Sequence, residues 1–281
     1  PKKLPWLIAI PGLWFLLLAY ITMAHRDIMT KIFDVIGLDW VHVHPGGEHV
    51  IAQADFFSTW FVDMTFIPLA TLASLVFFLG LRRFIADIHH NALVEGKTKR
   101  EDLDYKALFQ ALLKVLPTIM KHRKFTTCES NKDRATPHMM VLFSFIGLFI
   151  VTAVFCVVLY GFHLPSPYSQ LNPVKWLANI SGVALMIGST LMIRNRMANK
   201  DQISTYKDWY ILGVVFALGL TGLVTEITRL AHMEYTCYFF YWLHLIAIFN
   251  LFAFLPFCKM AHLVYRVTAM AYAEYAGRKF S

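Results

Sequence analysis

His244 stands inside the apolar stretch YWLHLIAIFNLFAFLPFCKMAH and His262 closes it, eighteen residues later. On one continuous helix eighteen residues are five turns, so the two imidazoles return to the same face about 27 Å apart along the axis. Imidazole is the commonest metal ligand among side chains, and an ionisable group inside an apolar run needs a partner. Two imidazoles stacked on one face across the thickness of a membrane suit a helix that gives one axial ligand to each of two haems. The alternative for either histidine alone is a hydrogen bond to a neighbouring helix, and the shared face favours the first reading.

Each iron needs a second ligand at matching depth. His138, where another apolar run begins after ATP, pairs best with His262. For His244 three candidates remain open. His163 in YGFHLP is placed first, although it follows His138 by twenty-five residues, about 37 Å on an unbroken helix, so a tilt or a break at Gly161 must absorb the difference. His232 in TRLAH and His25 after the first apolar run compete with it. His89, His90 and His122 lie among charges and read as solvated. His42, His44 and His49 in HVHPGGEH could bind a metal, but read as part of an ordered loop.

Glu226 and Arg229 in GLTGLVTEITRLAH are three residues apart and so on adjacent turns of one helical face. One reading is an ion pair inside the membrane that fixes helix packing. The other is that Arg229 neutralises a haem propionate while Glu226 takes a proton from a quinol. Asp63, near the start of an apolar run, could join a proton path, but its position favours plain solvation.

The elements that must position these groups are long apolar helices. Of 281 residues 57% are hydrophobic and only 16% charged, which excludes a soluble domain covered by polar groups. Six runs are long enough to cross about 30 Å of hydrocarbon: residues 6–24, 60–81, 138–160, 176–193, 209–230 and 238–263. The expected fold is therefore all-α, a polytopic membrane helix bundle of about six transmembrane helices, with residues 1–281 forming one membrane domain in contact with lipid. Pro11, Pro68 and Pro256 mark kinks, where neighbouring helices can satisfy the carbonyls they free.

The net charge of +8 does not signal nucleic acid, because Lys and Arg flank the apolar runs rather than forming a basic and aromatic surface. The connections over 82–137 and 194–208 are rich in Lys and Arg, which places them in the cytoplasm together with both termini. That makes the chain a multi-pass protein of the cell inner membrane. Within the longer connection, Leu108, Leu112, Val115, Leu116 and Ile119 share a stripe over 103–124. This amphipathic cytoplasmic helix either lies on the membrane or a partner, or packs on its own bundle. From His262 onward the Tyr-rich tail reads as an interfacial continuation of the sixth helix. Cys128, Cys156, Cys237 and Cys258 make neither a CxxC pair nor a CxxCH haem attachment site. The first residue is Pro rather than Met and the opening PKKLPW lacks a signal-peptide cleavage region, so the expectation is a chain that continues a larger polypeptide, with a domain upstream, or one that is trimmed.

The stretch WLHLIAIFNLFAFLPFCKMAHLVY resembles the last helix of the gamma subunit of respiratory nitrate reductases, dihaem b quinol oxidases, and ISGVALMIGSTLMIRNRM resembles their preceding helix with its basic exit. The resemblance covers roughly residues 138–280. Cys128, Arg134 and His138 before the third run, with TEITR in the fifth, are closer to the membrane subunits of heterodisulfide reductase and sulfite-reduction complexes. Within that branch they look most like the membrane subunits of the quinone-interacting membrane-bound oxidoreductases of sulfate reducers. The nitrate reductase subunits carry two histidines ten apart on one helix, whereas the position ten after His138 here is Leu148, which leaves the second ligand of the outer haem open.

The resemblance implies one or two haems b, held by His138, His262, His244 and His163, and menaquinol as substrate near the outer haem. It also implies an upstream iron-sulfur domain, and cytoplasmic flavin (FAD) and iron-sulfur subunits that carry electrons towards an adenylylsulfate reductase. Rivals of another class are a proton or ion transporter lined by His244, Glu226 and Arg229, and an anchor that only docks soluble redox subunits. A transporter would be expected to show inverted repeats with helices broken at matching places, and the sequence shows no such symmetry.

Overall fold

The computed structural model describes residues 3–24, 31, 35, 51–98, 101–120, 132–164, 166–198 and 205–277. Every long element among them is a helix: α1 (Leu4–Ala24), α2 (Thr59–Val94), α3 (Tyr105–Met120), α4 (Lys132–Phe162), α5 (Pro173–Ala198), α6 (Tyr206–Leu230), α7 (Glu234–Phe254) and α8 (Lys259–Tyr275). Six helices are long and apolar enough to cross a membrane: α1, α2, α4, α5, α6 and α7, the last carried on by a 3-10 turn to Phe257. The chain is a polytopic bundle of membrane-spanning helices. Large apolar side chains such as Leu13, Phe149, Val157 and Ile180 are each at least 59% exposed, as expected where hydrocarbon rather than water is the solvent.

The helices divide into two compact units, the first comprising residues 1–68 and 136–251, the second 69–135 and 252–281. In the first, Phe15, Leu18 and Ala19 of α1 pack with Phe57, Leu245 and Ile246 in one buried cluster. Phe15 is fully enclosed, stacked on Phe66 and edge-on to Phe57 and Phe249. Polar ties sit beside this packing. Pro11 has no N–H to give the Leu7 carbonyl one turn earlier, and Asn250 of α7 supplies it, its Nδ2 donating to Leu7 O at 3.0 Å and to Ile246 O at 2.9 Å. The Tyr210 hydroxyl of α6 donates to Asn250 Oδ1 at 2.6 Å, so one amide joins three helices. The kink expected at Pro11 thus has the neighbouring-helix donor it requires.

Helix α5 begins at Asn172–Pro173, where Asn172 Oδ1 accepts the Val174 N–H at 2.9 Å and Pro173 occupies the first turn, which has no need of its N–H. It packs closely on α4: a Cβ at Gly188 would lie 3.0 Å from the side chains of both Met140 and Val141.

The second unit corrects two expectations and favours one of the two alternatives left for the amphipathic helix. At 36 residues α2 is about 54 Å long and runs well past the expected end at residue 81. Its far end packs with α3 and α8, where Ala92, Leu108, Ala111, Ala271, Tyr272 and Tyr275 form a core. Of the stripe on α3, Leu108, Leu112 and Val115 are buried or half-buried in its own fold, whereas Leu116 is exposed. His89, expected to be solvated, is buried: its Nδ1 bonds the Tyr272 hydroxyl at 2.8 Å and its Nε2 lies 3.2 Å from Glu101 O. His90 is exposed, as expected.

The largest correction concerns the sixth span. The helix expected over 238–263 ends at Phe254, Leu255–Phe257 form a 3-10 turn, Cys258 is extended (φ −107°, ψ 175°), and α8 starts afresh at Lys259. Pro256 lacks the N–H that would continue the α-helical ladder, so the chain breaks rather than kinks. His244 and His262 therefore lie on different helices, and the five-turn alignment does not apply to them.

Candidate functional site

The sequence TGLVTEIT of α6 loads one helix with hydroxyls. Each threonine satisfies its own donor by bonding a carbonyl of the preceding turn: Thr221 to Ala217 O at 2.6 Å, Thr225 to Thr221 O at 2.7 Å and Thr228 to Val224 O at 2.7 Å. Back-bonding of this kind lets a hydroxyl sit among apolar side chains. With its hydrogen committed to Ala217, Thr221 Oγ1 can still accept, and His244 Nδ1 lies 3.0 Å away. The Leu218 carbonyl is a second acceptor beside the ring. With the ring proton on Nδ1, the lone pair would lie on Nε2, the form in which a histidine binds metal while a partner orients it. Gly222 makes room for this approach, since a Cβ there would lie 3.0 Å from His244 Cε1.

One turn along α6 is a second polar centre. Arg229 grips Glu226 with two bonds, Nη2 to Oε1 at 2.8 Å and Nε to Oε2 at 3.1 Å. Lys175 Nζ of α5 reaches Oε2 at 3.0 Å, and Gln170 Nε2 donates to Oε1. Gln170 is itself held, its Oε1 accepting from Asn179 Nδ2 at 3.1 Å and its backbone carbonyl from Trp176 Nε1 at 2.6 Å. The carboxylate thus receives four donors, two on each oxygen, which fills its lone pairs. Of the two readings of Glu226 and Arg229, the packing ion pair is present, with side chains only 14% and 11% exposed. A proton-accepting role for Glu226 would require one donor to leave. The sequence did not single out Lys175 and Gln170; Lys175, one turn into an apolar helix, was the available signal.

Asp63, expected to be solvated, is half-buried and accepts a short hydrogen bond from the Tyr160 hydroxyl near the end of α4. His138 is half-buried near the start of the apolar part of α4. His262 is exposed on α8, in the other compact unit. His163 (φ 55°) and His232 (φ 56°) each follow a helix terminus in the left-handed conformation and are exposed. His232 closes a Schellman motif, with Met233 N–H bonding Thr228 O at 2.9 Å and His232 N–H bonding Arg229 O at 3.2 Å. That gives His232 a capping role normally filled by Gly or Asn. His25, His42, His44, His49, His122 and Cys128 lie outside the described residues.

Among the described histidines, His244 is inside a span with an orienting contact on Nδ1, so it is the residue that would hold a haem iron through Nε2. No group of three or more His, Cys, Asp or Glu side chains placed to hold a bare metal ion occurs among the described residues. Compared with protein-family models, curated proteins and solved structures, the chain matches none.

Proposed function

We propose that this protein is a haem b-binding membrane subunit of a respiratory electron-transfer complex, which takes electrons from menaquinol and passes them to cytoplasmic flavin and iron-sulfur subunits. The observation that carries the reading is His244: an imidazole within an apolar span, held through Nδ1 by Thr221 and packed over Gly222, whose Nδ1–H tautomer would offer Nε2 to an iron. His138 supplies a second helix-borne imidazole, and His262 and His163 complete the ligand set that the family resemblance implies. When bound, haem b with two imidazole ligands supplies one-electron outer-sphere transfer. The chain's own part is to orient the imidazoles, exclude water with its apolar helices and set the local charge.

In this reading the Lys- and Arg-rich connections and both termini face the cytoplasm of an inner membrane. Glu226, Arg229, Tyr160 and Asp63 then lie towards the outer face. Arg229 and Lys175 outnumber Glu226 by one positive charge there, a field that favours anionic groups such as propionates. Electrons passing on towards an adenylylsulfate reductase, or a role in a heterodisulfide reductase-like or sulfite-reduction complex, follow from the resemblance alone. The transporter reading is disfavoured by Glu226, whose lone pairs are all engaged.

The test is a dithionite-reduced minus oxidised spectrum of the purified protein. Sharp b-type bands are expected, with haem per chain falling by at least one in His244→Ala; a protein without such bands would falsify the proposal.

A further inference from the structure

Helix α3 carries two apolar faces. Leu108, Ala111 and Val115 are buried in the second unit. Tyr105, Phe109, Leu113 and Leu116 follow one another at helical spacing on a separate stripe, each at least 42% exposed. The charged residues of the helix are Lys106 and Lys114, both exposed, and it has no acid. Contacts inside this unit set the level of the stripe. Helices α2 and α8 run side by side in one direction: Tyr265 lies against Gly80, with its ring edge-on to Phe84 at 5.1 Å, and Tyr272 meets His89 about two turns further on. Helix α3 starts where α8 ends, with the Asp104 N–H bonding the Tyr275 hydroxyl at 3.1 Å, and it packs along α8, so it returns antiparallel to both. Leu116, twelve residues on from Asp104 and so about 18 Å away, is back near the level of Tyr265 and Gly80. At that level α2 still turns Phe78 and Leu79 outwards, each at least 47% exposed, as a helix in hydrocarbon does. Charge is graded along the same axis. Exposed Arg82, Arg83, Lys114 and Arg266 lie towards the span, exposed Glu95, Glu101, Asp102 and Asp104 lie at the far end, and Asp87 falls between.

We infer that the exposed stripe of α3 is seated in the lipid leaflet beside α2, with Phe109, Leu113 and Leu116 at the boundary between headgroups and acyl chains and the neighbouring cations on anionic phospholipid headgroups. An amphipathic helix with an apolar face and Lys on its polar side binds at that depth, and each Lys or Arg held near an anionic surface strengthens binding about fivefold. The level of the stripe selects lipid over a soluble protein, which would have to displace the bilayer around Phe78 and Leu79 to reach it. A second copy meeting this face through the same stripe would set Lys106 and Lys114 against their own counterparts, like charge against like.

The inference goes beyond the electron-transfer reading and does not depend on haem. The full-length protein is placed in phosphatidylcholine nanodiscs that carry a trace of either phosphatidylglycerol or phosphatidylcholine with a photoreactive diazirine on its acyl chain, and labelled residues are mapped by mass spectrometry. Label is expected on the tryptic peptides 107–114 and 115–121, with phosphatidylglycerol exceeding phosphatidylcholine there about fivefold or more. Arg82→Gln combined with Arg83→Gln should remove most of that excess. Leu113→Glu should lower labelling of both peptides by both lipids at least tenfold, since a charge is expelled from the acyl boundary. Leu113 is exposed, so the change spares the core; unchanged labelling of α2 over 69–81 reports that the variant is folded, and Leu116→Gln repeats the test as a milder change on the same face. Unlabelled α3 peptides beside a labelled α2 overturn the inference, as does a chemical crosslink that joins the α3 stripe to a second copy or to another protein. Equal labelling by the two lipids that the double arginine variant leaves unchanged overturns the assignment of anionic headgroups.

Discussion

Glu226 and His244 occupy facing helices of the same unit, and both are polar groups inside apolar spans, but they are finished differently. Glu226 receives four donors from Arg229, Lys175 and Gln170 and has nothing left to offer a ligand. In His244, Nδ1 is bonded to Thr221, and a proton on Nδ1 would leave the Nε2 lone pair for a ligand. In a low-dielectric setting every polar group must be matched, so a saturated one marks architecture and a half-matched one marks a place for something else.

Substitutions can break that contrast, and their expected effects on stability descend as follows. Glu226→Ala leaves Arg229 and Lys175 without their counter-charge, and should cost about 3 kcal/mol or more in detergent unfolding. Glu226→Gln should recover part of that loss, because it keeps acceptor and shape. Asn250→Leu strips the donor from the Leu7 carbonyl that Pro11 leaves open and the acceptor from Tyr210, for about 1–2 kcal/mol in the same assay. His244→Ala should destabilise the haem-free chain by only about 1 kcal/mol, although it removes haem; an effect on the haem-free fold as large as that of Glu226→Ala would make His244 structural. Thr221→Val, the mildest change to the fold, should weaken haem retention by about 10- to 100-fold through loss of ring orientation. Haem release at graded dilution would measure it.

Much of the architecture was legible in the sequence because apolar length is a local property: six runs long enough for a bilayer are six spans, whatever they pack against. Less of the candidate site was legible. Asp63 and His89 both read as solvated, yet Asp63 meets Tyr160, ninety-seven residues away, and His89 meets Tyr272, one hundred and eighty-three away. Periodicity carries no information about partners at such separations. The Glu226–Arg229 pair was visible because it is local, whereas Lys175 and Gln170 reach it from another helix.

The last span divides the two kinds of knowledge most sharply. The sequence by itself determined that residues 238–263 are apolar enough for a membrane and that Pro256 interrupts them, since hydropathy and a missing N–H belong to the residues themselves. Tertiary structure decided that the interruption is a full break, with Cys258 extended and His262 on a new helix packed against α3. It also decided what His244 Nδ1 meets, the Thr221 hydroxyl of a neighbouring helix, and that this hydroxyl already donates to the Ala217 carbonyl.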